Sequence, residues 1–329
     1  MTSAKASTAP VDSPYYFMQK AVDLVGTSPH PQNKIAATLF GGKPNDLWSV
    51  TRTNHWPAMI DVKIGRTQDI GNSSGTLHAE TACILTVPEA TEGASLCITD
   101  PCCPNCAKNI AEAGIKKIYI DHKGFKKDFF KRRGDHFDSM SMQICAKAGV
   151  SVYELNRKEQ TITPIIEVPL SFTPPDDSPI VIEPIESAAE AVLRIGVQKS
   201  SQIHHRRKFA MAFAQDSQGQ KFMITVRAHA VIGFTMNNLN EALEIMTPQD
   251  KYSFIQEPVN RLLMFLARKG WRLMDGYLYA SQIPTAREQV NLVGAGIKRI
   301  TVGDFQKSRD PYGFQAMETL KRAGILIYD

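Results

Sequence analysis

The chain has 329 residues, 43% of them hydrophobic, and carries a formal net charge of +5. That length and apolar content suffice for two ordinary domains, each with a core that needs no staple, and no stretch reads as a signal peptide or a membrane span. Six cysteines, three of them crowded at positions 102, 103 and 106, suit a reducing cytoplasm better than a secreted disulfide framework, and the mild positive charge gives only a slight lean toward anionic partners.

In chain order, residues 1–14 are small and polar and read as a flexible tail. A first domain then spans 15–156. Its strands are expected at Ile35–Phe40 and Trp48–Arg52, with Asn54 just beyond the second. Trp56 to Leu77, with Lys63, Arg66 and the run Gly71–Thr76, reads either as a phosphate cradle or as a lid. His78-Ala79-Glu80 then opens a helix running through Leu85, and strands follow at Leu96–Thr99 and Lys117–Ile120. Between those strands lies Cys103-Pro104-Asn105-Cys106, whose helix is short and stopped by Gly114. Lys126, Lys127, Lys131, Arg132 and Arg133 form one basic cluster and His204 to Lys208 another, each reading as a solvated face or as a strand-binding surface.

Residues 157–185 read as an extended linker, because Thr161 to Pro184 holds six prolines and little helical period. A second domain, 186–329, repeats the first. Ala111–Tyr119 returns as Val293–Thr301, with Ala-Gly-Ile-Lys-x-Ile in register, and Phe209–Phe213, Met223–Arg227 and Ala323–Tyr328 match three strands of the first half. Alternating strands and helices in both halves predict an α/β layer architecture.

His78, Cys103 and Cys106 are three ligands of the kind a zinc ion takes. A three-ligand set leaves a fourth position for water, and Glu80 stands two residues from a ligand, placed to move protons. A CxxC alone is also compatible with a redox pair or with half of a structural zinc site, in which case Cys102, Cys83 or Cys97 would supply the fourth ligand. The second half contains no cysteine. Aligned on the repeat, it places Thr285 and Glu288 where Cys103 and Cys106 stand, while Glu257–Leu263 takes the place of the His-Glu helix and His229 falls in the segment matching Asn54.

These motifs identify residues 15–156 as similar to the cytidine and deoxycytidylate deaminase superfamily, with Cys103–Tyr119 most like its deoxycytidylate branch. The resemblance implies two three-layer α/β/α domains, each with a mixed sheet of about five strands, and in the first a zinc ion held by His78, Cys103 and Cys106. It implies Glu80 as the proton shuttle and Asn54 as a substrate contact. Two departures stand out: Cys102 occupies the place where the family has proline, and Ala82 the place where its deoxycytidylate members carry asparagine.

The activity expected is therefore zinc-dependent hydrolytic deamination of a cytosine nucleoside or nucleotide, in the cytoplasm, with Zn2+ and no organic cofactor. Alternatives are a deaminase acting on a base in RNA or DNA, on a purine or other heterocycle, or a non-catalytic zinc-stabilised binding module. Superfamily members associate through helix faces. The second copy is accordingly expected to pair with the first within the chain, in place of a partner subunit or within a homodimer.

Overall fold

The computed structural model describes residues 12–127, 135, 137–169, 171–178, 180–203, 208–235 and 253–329. Residues 1–11 of the expected tail, the Lys131–Arg133 part of one basic cluster and the His204–Arg207 part of the other lie outside the described residues.

The first half is built on strands β1 (Ala36–Lys43), β2 (Asp46–Thr53), β3 (Ser95–Ile98), β4 (Lys117–Asp121), β5 (Ser151–Asn156) and β6 (Thr161–Ile166). They form one sheet in the order β2-β1-β3-β4-β5-β6, with β3, β4 and β5 parallel and the remaining pairs antiparallel. Helix α1 (Pro14–Val25) covers one face. It starts on the Ser13 cap and stacks Phe17 on Phe40 of β1, ring centroids 3.9 Å apart. Helices α2 (Ala58–Lys63), α3 (Ala79–Thr86), α4 (Pro104–Glu112) and α5 (Met142–Ala148) complete the half.

The second half carries β7 (Val181–Ile185), β8 (Phe209–Gln215), β9 (Lys221–Arg227), β10 (His229–Ala230), β11 (Ile255–Gln256), β12 (Arg272–Ala280), β13 (Arg299–Val302) and β14 (Ile327–Tyr328). Its helices are α6 (Glu190–Ile203), α7 (Pro258–Lys269), α8 (Ala286–Gly294) and α9 (Pro311–Arg322). The main sheet runs β14-β13-β12-β8-β9-β7, again with a parallel block of three strands and antiparallel neighbours.

Each sheet thus has six strands where five are expected, and the surplus comes from the proline-rich segment. Instead of a free spacer, it supplies β6 to the far edge of the first sheet and β7 to the opposite edge of the second. Proline is tolerated there because an edge strand has one side without ladder partners. Pro164 sits opposite Tyr153, and Pro184 opposite Phe222.

The two halves share small hydrogen-bond details. Ala36 N–H donates to Thr99 Oγ1 and Asn54 N–H to the Ile35 carbonyl; in the second half Phe209 N–H donates to Ser281 Oγ and Ala228 N–H to the Lys208 carbonyl. Asn109 Nδ2 donates to Thr81 Oγ1 at 3.1 Å, and Asn291 Nδ2 to Asn260 Oδ1 at 2.8 Å. His55 pairs with Leu77 just before α3, and His229 with Gln256 just before α7.

The halves meet through α3, α4, α7 and α8, and one apolar core runs through both. Buried polar groups fix the fit. Gln256 Nε2 donates to Asn109 Oδ1 at 2.8 Å, Lys108 Nζ to the Ile255 carbonyl at 2.7 Å, and Arg287 to the Thr76 carbonyl at 2.6 Å. Arg261, 2% exposed, lies 3.4 Å from Glu112 and donates to the carbonyl and hydroxyl of Ser178 in the connecting segment.

Replacing Arg261 with Ala leaves the buried Glu112 carboxylate without its cation, and denaturant unfolding should show a loss of about 3–5 kcal/mol. The double variant Arg261→Met, Glu112→Leu should recover most of it. Equal losses in both would mean that packing, not charge, sets the cost.

Candidate metal centre and active site

Two helix starts face each other in the first half. His78 is the N-cap of α3 and Cys103 the N-cap of α4, and neither makes a side-chain capping bond. Both side chains are thereby left to point into the gap between the helices. Pro104 at the first position of α4 fixes the turn, and Cys106, one helical step on, faces the same gap. Among the described residues, His78, Cys103 and Cys106 form the group of metal-ligating side chains, their ligand atoms within 4.8 Å of one another.

Their spacing suits a small tetrahedral ion. His78 Nδ1 lies 3.2 Å from Cys106 Sγ and 3.5 Å from Cys103 Sγ. A tetrahedral zinc sets nitrogen–sulfur separations of roughly 3.6 Å, so the donors fit with adjustments of a few tenths of an ångström. The thiol of Cys106 holds Cys103 well below the usual cysteine range, helped by His78, so the pair carries a thiolate. None of the candidate fourth cysteines joins the group. Cys83 donates to the Ala37 carbonyl, Cys97 to the Pro14 carbonyl, and Cys102 lies buried beside Cys145. Cys102 takes the family's proline position as a core side chain, and its carbonyl accepts from Ser141 Oγ.

Glu80 sits in the first turn of α3, 4% exposed. Burial pushes its carboxyl up to about 7, opposed by His78 and reinforced by Cys103. A carboxyl in that range can both take and give a proton at neutral pH.

Asn54 is brought near by the end of β2, where its side chain bonds to the neighbouring loop and keeps one amide N–H to spare. Its Oδ1 accepts from Ser28 Oγ and Ile35 N–H, and its Nδ2 donates to the Asn33 carbonyl. It clasps the loop from Ser28 to Ile35 against the sheet. That loop presents His30, which the sequence reading overlooked. Asn33 N–H donates to His30 Nδ1, and the ring stacks on Trp56 with centroids 5.7 Å apart. Burial and the nearby His78 lower the His30 pKa. The only advance signal was the local Ser-Pro-His-Pro run, which marks a turn and nothing more.

Trp56 to Leu77 forms α2 and a bridged loop in which Ile70 and Ser73 exchange backbone hydrogen bonds. Of its basic residues, Arg66 pairs with Asp61, and Lys63 donates to the Gly324 carbonyl. In the basic cluster near residue 127, Lys127 pairs with the buried Asp100.

Among the described residues, the corresponding place in the second half holds no metal-ligating set. Glu257 is the N-cap of α7 and Thr285 that of α8. Glu288 closes the gap: one carboxylate oxygen accepts from Val259 and Asn260 N–H at the start of α7, the other from Thr285 N–H and its hydroxyl at the start of α8. Glu257 pairs with Lys208. His229 is buried, its Nε2 3.2 Å from an Asp177 carboxylate oxygen without a hydrogen bond to it, and burial lowers its pKa.

This chain is similar to known deaminases. The family model described as "Cytidine and deoxycytidylate deaminase zinc-binding region" matches residues 12–122. A curated relative, "Uncharacterized deaminase in luxG 3'region" of Aliivibrio fischeri, is 38% identical over 137 residues, covering 41% of this chain and 88% of that protein. A dCMP deaminase of the cyanophage S-TIM5, solved with dCMP and dUMP, is 23% identical with a TM-score of 0.31, covering 43% of this chain and 94% of that one. Its apo form gives a TM-score of 0.28.

Burial and the neighbouring Glu257 push the Glu288 carboxyl up to about 7, against the helix N–H bonds that pull it down. Its folded pKa therefore stands above the unfolded value of about 4.3. Stability from this group is whole below the unfolded value and is lost as pH rises through the folded one. Unfolding free energy should accordingly slope downward between about pH 4 and 7, and Glu288→Gln should flatten that slope; an unchanged slope would assign it to other groups.

Proposed function

The chain belongs to the cytidine and deoxycytidylate deaminase family, and on that premise we propose that it is a zinc-dependent hydrolytic deaminase of a cytosine nucleoside or nucleotide. The observation that carries the reading is the buried Glu80 carboxyl beside the His78, Cys103 and Cys106 group. A ligand set alone fits a structural ion. A buried carboxyl of raised pKa next to an incomplete ligand set fits proton transfer at that ion.

In this reading His78, Cys103 and Cys106 hold the zinc. Bound there, zinc supplies Lewis acidity and lowers the pKa of a water so that it can attack at neutral pH. Glu80 takes one proton of the attacking water and passes it to the ring nitrogen of the base, then takes the second from the hydroxyl left on the ring carbon and gives it to the departing amine. Water adds at the amino-bearing carbon, the carbon–nitrogen bond breaks, and ammonia leaves. Backbone N–H groups in the first turns of α3 and α4 face charge that develops on oxygen. Asn54 acts by fixing the loop that carries His30, and the His30–Trp56 stack forms a flat wall at the entrance for a base.

We further propose that residues 15–156 are the catalytic unit, 157–185 the connector and 186–329 a degenerate copy. The shared order of five strands, the matched hydrogen bonds and the repeated Ala-Gly-Ile-Lys run support a duplication. The copy packs where a partner subunit would.

The decisive experiment measures ammonia release by the zinc-loaded protein across cytosine, adenine and guanine bases, nucleosides, nucleotides and short single strands. A cytosine nucleoside or nucleotide should give the signal. Glu80→Gln should keep its zinc by elemental analysis and lose about 10²- to 10⁴-fold in kcat. A zinc-replete Glu80→Gln variant with undiminished turnover would remove Glu80 from the mechanism, and a signal confined to single strands or purines would replace the substrate class.

A further inference from the structure

A cavity of about 640 Å³ lies between the halves and outside the His78, Cys103 and Cys106 group. Its floor in the second half is made by Glu257 and Thr285, the N-caps that stand where His78 and Cys103 stand in the first. Its other wall comes from the first half: Asn105, between the two cysteines, and Lys108 one turn further along α4.

Among the described lining residues, cations outnumber carboxylates. Lys108, Arg287 and Arg309 line it against two carboxylates, Glu257 and Asp310. Both carboxylates are already engaged. Asp310 accepts from Tyr312 and Gly313 N–H at the start of α9, and Glu257 is held by Lys208 at 3.0 Å with Arg309 at 3.7 Å. Lys108 is 4% exposed, and among the described residues no carboxylate lies within ion-pair distance of its ammonium. Its Nζ has three donors and one of them is spent on the Ile255 carbonyl. Its ammonium stands in a pocket that the Arg309 guanidinium also lines as a second cation. Buried cations without a counter-ion are costly, and the cost is removed when an anion enters.

We propose that this cavity is a binding site for a small phosphate-bearing anion, with the phosphate held by Lys108 and Arg309 and the surrounding amide and hydroxyl side chains contacting the remainder. Its volume is in the range of sites that take small molecules. The site is distinct from the catalytic centre, yet it touches that centre through Asn105. The degenerate half would thereby have kept a pocket at its former catalytic position while losing the chemistry.

Calorimetric titration of the full-length, zinc-loaded protein with inorganic phosphate and with pyrophosphate tests this, and it reads the same whether or not the chain deaminates cytosine. Saturable binding is expected, weakened about tenfold or more by Arg309→Gln and by Lys108→Met. Arg309 is partly exposed, so Arg309→Gln should fold with an unchanged melt and decides the matter if Lys108→Met does not fold. The proposal is overturned by absence of binding to the wild type, or by binding that Arg309→Gln leaves unchanged. It is also overturned if a short oligothymidylate displaces pyrophosphate at concentrations below those at which pyrophosphate itself binds, which would mark a nucleic-acid track instead.

Discussion

Pairs of helix N-termini brought face to face are the constraint on which the structure turns. The starts of α3 and α4 converge in the first half, and those of α7 and α8 in the second. Unpaired N–H groups and the positive ends of the helix dipoles then crowd one spot, and negative charge must be placed there. The first half meets the demand with cysteine sulfur, where a thiolate is stabilised by its neighbours. The second meets it with the Glu288 carboxylate, which accepts from both helices at once. In the reading proposed above, a metal bridge and a carboxylate bridge are alternative solutions to the same electrostatic problem. Only the metal bridge brings chemistry with it.

This constraint also explains how the halves are joined. Four helices whose ends are held in pairs present rigid flanks to one another, and their contact is built from polar groups buried in an otherwise apolar core. Gln256 reaches Asn109, and Asn109 in turn holds Thr81 on α3. The second half therefore touches the helix that carries Glu80 through two hydrogen bonds. Such buried amides cost desolvation unless all are satisfied, so they fix the relative placement of the halves more sharply than apolar contact would. A second half without catalytic residues can still matter to the first by keeping α3 and α4 in place.

The grouping of His78, Cys103 and Cys106 and the strands of the core were legible because their signals are local: a histidine and a CxxC at helix starts, and short β-branched segments bounded by turns. The connecting segment was not. Six prolines argue against a strand when partners are unknown, and only the edges of two sheets made Pro164 and Pro184 acceptable. Asn54 was legible as a polar residue near the site, but the direction of its amide was not, since that depends on a loop folding back over twenty residues. Thr285 and Glu288 were read as missing cysteines. Their own pattern, threonine followed by glutamate three residues later, is a capping box, and the structure shows both of its bonds.

The asymmetry of the two bridges has a consequence for how such a chain can change. A metal site fails when any ligand is lost, so His78, Cys103 and Cys106 are coupled to one another and to the helix starts that aim them. The carboxylate bridge needs only one side chain, which leaves its surroundings free. Glu257, at the cap that matches His78, gathers Lys208 and Arg309. On the duplication proposed above, basic and amide side chains around this cleft leave the fold undisturbed, because Glu288 already holds the helices. The position of greatest freedom thus lies against the position of least freedom, with Asn105 between them, and a binding pocket there is the natural outcome of that geometry.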